Sequence, residues 1–70
     1  MKLTPVKSSN IKSVGYDKKT KTLSIRFYSG GTYEYSDVNN PIYEDFINSE
    51  SLGRFFFRNI KTKYSTKKVS

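Results

Sequence analysis

The spacing of apolar residues changes period near the middle of the chain. In "VGYD" (14–17), "TLSIRFY" (22–28) and "TYEYS" (32–36), β-branched and aromatic residues alternate with polar ones between turn signals, which predicts three strands. Successive side chains of a strand point to opposite faces, so Leu23, Ile25 and Phe27 share one face. A four-residue loop Lys18–Lys21 sets Tyr16 opposite Leu23 and Val14 opposite Ile25 on that face. For the second hairpin the expected connection is the three-residue loop Ser29-Gly30-Gly31, a type I turn followed by a left-handed residue. It places Phe27 opposite Tyr33 and Ile25 opposite Tyr35. The other face then carries Ser13, Gly15, Ser24, Arg26, Tyr28, Thr32, Glu34 and Ser36, polar enough to meet water.

Beyond Val38 the period becomes helical. "NNPIYEDFINS" predicts a short helix with Asn40 as N-cap, Pro41 at the first helical position, and a stripe of Ile42, Tyr43, Phe46 and Ile47. A second helix is expected from Ser51 to about Lys63, with Leu52, Phe56, Ile60 and Tyr64 four apart and Phe57 joining them in the core. The terminal "STKKVS" reads as a frayed basic tail. The fold class is α+β: a three-stranded antiparallel β-meander followed by two helices packed on one face (β-β-β-α-α), as one domain over residues 1–70 with its core at about 6–64.

Composition sharpens this picture in two respects. A domain of 70 residues buries only about 60% of the surface its unfolded chain exposes, and with no cysteine it has no disulfide to compensate. Eleven Phe and Tyr rings supply the apolar bulk instead. No segment has the apolar run of a signal peptide or a membrane span, so a soluble, cytoplasmic protein is expected.

Charge is divided along the chain. Residues 1–31 hold seven Lys or Arg against Asp17 alone, residues 32–50 hold five acids and no base, and residues 51–70 hold six bases and no acid. A net charge of +7 segregated in this way is the footprint of a polyanion site, or else a solubilising surface.

The candidate chemistry is binding rather than catalysis. Without His or Cys there is no imidazole base, no thiolate nucleophile and no soft metal ligand, and the adjacent Glu44 and Asp45 do not face each other on a helix. No enzyme activity, metal or cofactor is expected. Gly30-Gly31 needs no phosphate to explain it, because a phosphate loop leads from a strand into a helix rather than back into a strand.

The second helix breaks local rules. Gly53 costs up to ~1 kcal/mol relative to Ala, and Arg54 sets a positive charge at the positive end of the dipole. An anion held by Ser51, Gly53 and Arg54 would account for both; close packing at Gly53 with a solvated Arg54 is the structural alternative. Arg54, Arg58 and Lys61 recur at i, i+4 and i+7 on one stripe, continued by Lys63 and the basic tail, a surface suited to a phosphate backbone or simply solvated. Tyr28 beside Arg26 offers a stacking platform for a base, or an ordinary cross-strand pair with Thr32. Tyr33 and Tyr35 read as core residues whose hydroxyls reach the edge.

"SSNIKSVGYD", "LSIRF", "GGTYEY", Val38, Tyr43 and "SLGRFFFRNIKTKY" together resemble the KTSC domain, over about residues 6–68. This family of small domains occurs alone in bacterial and phage proteins and at the C-terminus of some lysyl-tRNA synthetases. Its Tyr-x-Tyr motif matches Tyr33 and Tyr35, and its Ser-x-Gly with a following aromatic matches Ser51, Gly53 and Phe56, followed by Ile60 and Lys61. Phe57 stands where many members have Asn. The resemblance implies RNA binding through the synthetase context and no established activity. Three readings follow: a module for RNA or another nucleic acid, a pocket for a small anionic metabolite or nucleotide signal, and a protein-interaction or homo-oligomerising domain joining acidic and basic segments.

Overall fold

The first hairpin forms as side-chain parity demands. In the computed structural model, which describes residues 2–70, strands β2 (Ile11–Asp17) and β3 (Thr22–Phe27) pair antiparallel, with Tyr16 opposite Leu23 and Val14 opposite Ile25. The register slips between Ile11, which faces Phe27, and Ser13, which faces Arg26, leaving Lys12 as the extra residue of a β-bulge. The bulge reverses parity, so Ile11 reaches the same buried face as Val14.

The second hairpin is displaced from its expected register. Strand β4 (Thr32–Tyr35) sets Tyr33 opposite Ile25 and Tyr35 opposite Leu23, not Tyr33 opposite Phe27. A two-residue slip keeps every apolar side chain on its face, so parity does not distinguish the two registers. The loop is instead Tyr28-Ser29-Gly30. Gly30 N–H donates to the Phe27 carbonyl at 3.1 Å, Phe27 N–H donates to the Gly31 carbonyl at 3.2 Å, and Gly30 takes the positive φ of 111° that follows the turn. Tyr28 accordingly leaves the outer sheet face and becomes a turn residue.

Five strands, not three, make the sheet, in the order β1-β2-β3-β4-β5. Strand β1 (Thr4–Pro5) flanks β2, and β5 (Thr66–Lys68) flanks β4, with Thr66 opposite Tyr35, Lys67 opposite Glu34 and Lys68 opposite Tyr33. The tail expected to fray is thus pinned along β4. Ser36 N–H donates to the Ser65 carbonyl, Thr32 N–H to the Ser70 carbonyl and Val69 N–H to the Thr32 carbonyl. Without it β4 would present an open row of backbone donors and acceptors. Two small residues of the outer face are buried rather than watered: Ser13, between Pro5 of the added β1 and Arg26, and Ser24, within the meander itself between Gly15 and Glu34.

The helices are shorter than their apolar spacing. Helix α1 (Asn40–Ile47) starts one residue early, with Asn39 rather than Asn40 at the N-cap position; its side chain makes no capping bond, and its carbonyl accepts the first helical hydrogen bonds, from the N–H groups of Ile42 and Tyr43. Helix α2 (Leu52–Asn59) closes when the Phe56 carbonyl accepts from both Ile60 and Lys61 N–H, well before Lys63.

Both helices lie on the apolar face of the sheet. Phe46 and Ile60 are fully buried with Val38, Leu23 and Ile25, and Phe56 meets the rings of Phe27 and Tyr35 edge-on at 5.3 and 5.4 Å. Phe55 packs on Phe46 across the helix pair. The buried arc of α2 therefore runs through Leu52, Phe55 and Phe56, and Phe57, expected in the core, lies beyond its edge at 59% exposure. Ile47 falls outside the buried stripe of α1 for the same reason. No helix among the described residues is long and apolar enough to cross a membrane.

Candidate functional site

Helix α2 leaves part of the sheet's apolar face uncovered along its Gly53, Phe56 and Phe57 side. Between this helix, the β3–β4 turn and the chain entering β2 lies an open groove of about 830 Å³. Its floor is aromatic: Phe27, Tyr33, Tyr35 and Phe56, with Ile11 beside them. Phe27 meets Tyr33 edge-on at 5.8 Å, which fixes the rings relative to one another. At the rim stand Tyr28 and Ser29 of the turn, Ser9 and Asn10, Gly53 and Phe57 of α2, Lys61, and Thr66 of β5.

Tyr35 is the most buried of the phenols lining the groove, and burial pushes its pKa up from 10 to about 12. No buried polar side-chain atom among the described residues lacks a partner. The Tyr35 hydroxyl makes no hydrogen bond to another described residue, and Tyr35 lines the groove. Lys61 Nζ sits 4.3 Å from the centre of the Phe57 ring, a cation–π contact at the groove mouth.

Of the residues singled out in the sequence, the groove gathers Tyr28, Tyr33, Tyr35, Gly53 and Lys61. Arg26 points from the opposite face of the sheet, paired in register with Ser13 and Thr32, so the expected Tyr28–Arg26 platform does not form. Ser51, Arg54, Arg58 and Lys63 do not line the groove. Ser51 is the N-cap of α2, its Oγ accepting the Arg54 N–H at 3.3 Å. Gly53 faces Asn10: a Cβ there would stand 3.2 Å from Asn10 Nδ2. Local structure thus employs both Ser51 and Gly53. The stripe of Arg54, Arg58 and Lys61 is broken as well, since the helix ends before Lys61 and that side chain turns onto Phe57.

Sequence reasoning missed Asn10 and placed Phe57 in the core. Gly53 does signal a close neighbour, but nothing in the residue order says that the neighbour is Asn10, which lies 43 positions earlier.

The KTSC domain matches residues 7–64. The chain superposes on the crystal structure of a KTSC domain protein from Yersinia pestis with a TM-score of 0.96 and 39% identity, covering 99% of this chain and 97% of that one. It is 37% identical over 62 residues to a protein of Tsukamurella paurometabola, spanning 89% of this chain and 92% of the relative. A lysine–tRNA ligase of Nostoc punctiforme is 42% identical over 62 residues, which is 89% of this chain but 11% of the ligase. With the family matched over most of its length and the same fold in a solved member, the chain belongs to the KTSC domain family.

Proposed function

We propose that the domain binds single-stranded RNA without chemistry of its own, seating an unpaired base in the aromatic groove while neighbouring cations hold the phosphates. Two exposed rings at the groove, Tyr28 at 60% and Phe57 at 59%, together with Lys61 beside Phe57, support this reading. Rings left in water gain about 1–3 kcal/mol per base when a base stacks on them. The net charge of +7 favours a polyanion, and Arg54, Arg58, Lys63, Lys67 and Lys68 are all exposed to meet one. RNA is favoured over DNA because a similar segment forms part of a lysine–tRNA ligase.

The test is a fluorescence-anisotropy titration of a labelled short RNA over a series of salt concentrations. Affinity should fall linearly on logarithmic axes, with a slope of about −0.7 for each phosphate contacted. Arg58→Glu combined with Lys61→Glu should weaken binding at least about tenfold at low salt while shifting stability by only about 0.5 kcal/mol per site. Unchanged affinity in this double variant would remove the cations from the interface. One-to-one saturation by a mononucleotide, as tight as the oligomer and insensitive to salt, would assign the groove to a small anionic ligand instead.

A further inference from the structure

We propose that Asn10 is the specificity-determining residue of the groove, its side-chain amide reading the hydrogen-bonding edge of the seated base; the proposal rests on the reading of the groove as a base site. Gly53 has no positive φ that would demand glycine, and in a helix it costs up to about 1 kcal/mol relative to Ala. What it provides is room. The missing Cβ lets Asn10 Nδ2 approach to a distance that a side chain would crowd at 3.2 Å.

The backbone of Asn10 is held from two sides. Its carbonyl accepts the Tyr28 N–H at 3.0 Å, and its N–H donates to Ser8 Oγ at 3.3 Å. Asn10, exposed at the groove, thereby has its backbone held beside that of Tyr28 and its side chain against Gly53 in the first turn of α2. Its amide makes no hydrogen bond to another described residue, although Asn10 lines the groove. An amide offers a donor and an acceptor side by side, the complement of the paired donor and acceptor along a nucleobase edge. The Tyr35 hydroxyl on the groove floor supplies a second group that can donate or accept. Being uncharged, Asn10 should affect which base is bound without affecting the phosphate contribution.

The experiment compares equal-length oligomers of A, C and U against wild type, Asn10→Ala and Gly53→Ala, each over a salt series. Wild type should prefer one oligomer by about fivefold or more. Asn10→Ala removes the amide, and Gly53→Ala retains but displaces it while suiting the helix better. Both should compress the preference to within about twofold and leave the salt slope unchanged. Should Asn10→Ala fail to fold, Gly53→Ala carries the comparison alone. Wild-type base preference persisting in the folded variants would overturn the role of Asn10 while leaving RNA binding intact, as would salt-dependent binding with no base preference in wild type. No binding of any oligomer by wild type would defeat the RNA reading itself, and this proposal with it.

Discussion

Tyr16 stacks on Tyr43 with ring centres 4.3 Å apart and planes inclined by only 6°, and the Tyr16 hydroxyl donates to the Val38 carbonyl. One residue thus ties the first hairpin to α1 and to the segment leading into it. The two contributions are separable. Tyr16→Phe keeps the stack but strands a carbonyl on fully buried Val38, which should cost about 1–3 kcal/mol. Tyr16→Ala should cost more by about 0.5–1.5 kcal/mol for the lost ring pair, plus the area no longer buried. Urea denaturation of the three proteins measures both steps, and a Phe variant as stable as wild type would show that the hydroxyl contributes nothing.

Gly30 and Gly31 both hold positive φ, at 111° and 90°, but their surroundings differ. A Cβ on Gly30 would meet open space, whereas on Gly31 it would press on Tyr33 Cε1 at 3.2 Å and Lys68 Cε at 3.3 Å. Gly30→Ala should therefore cost only the backbone strain, about 1–2 kcal/mol. Gly31→Ala should cost slightly more, because the Tyr33 ring and the Lys68 side chain must also shift by a few tenths of an ångström. Thermal melts rank the two, and the reverse order would contradict the hairpin geometry.

These two positions also show what the residue order could reveal. Tyr16 opposite Leu23 and Val14 opposite Ile25 were legible because a tight loop and matching parity leave little choice. In the second hairpin either glycine can take the left-handed place, and registers two residues apart bury the same side chains, so the sequence does not decide between them. Strand β5 is invisible to periodicity because all three of its residues are exposed and none is an apolar core residue. The groove escaped for a different reason: it is assembled from Asn10, the Tyr28 turn and the Gly53–Phe57 side of α2, which are far apart in sequence and are brought together only by the fold.

Burial raises the Tyr35 pKa from 10 to about 12 and raises those of Tyr16 and Tyr43 as well. The fold therefore keeps these phenols neutral where the unfolded chain ionises them. Their contribution is complete below pH 10 and, for Tyr35, is lost as pH rises from 10 through about 12. Unfolding free energy measured across that window should decline, and Tyr35→Phe should flatten part of the decline. Because the Tyr35 hydroxyl makes no hydrogen bond to another described residue, the same variant should stay within about 1 kcal/mol of wild type at neutral pH. An unchanged alkaline slope in Tyr35→Phe would show that this phenol is not desolvated.

Tyr28 and Phe57 stand on different elements, the β3–β4 turn and α2, yet both border the groove and both are more than half exposed. Removing either ring should cost the fold little, within about 1 kcal/mol, since exposure leaves little buried area to lose. For RNA the cost should be large. Tyr28→Ala and Phe57→Ala should each weaken binding by about 5- to 150-fold, the equivalent of 1–3 kcal/mol of stacking. The salt slope should persist, because no phosphate contact is removed, whereas the Arg58→Glu, Lys61→Glu double variant should reduce it. Phe57→Ala carries an additional consequence, since it takes away the ring against which Lys61 rests. An oligomer with an abasic site at the seated position should bind wild type weakly and show no further loss against either ring variant. Equal binding of intact and abasic oligomers by wild type would mean that no base occupies the groove.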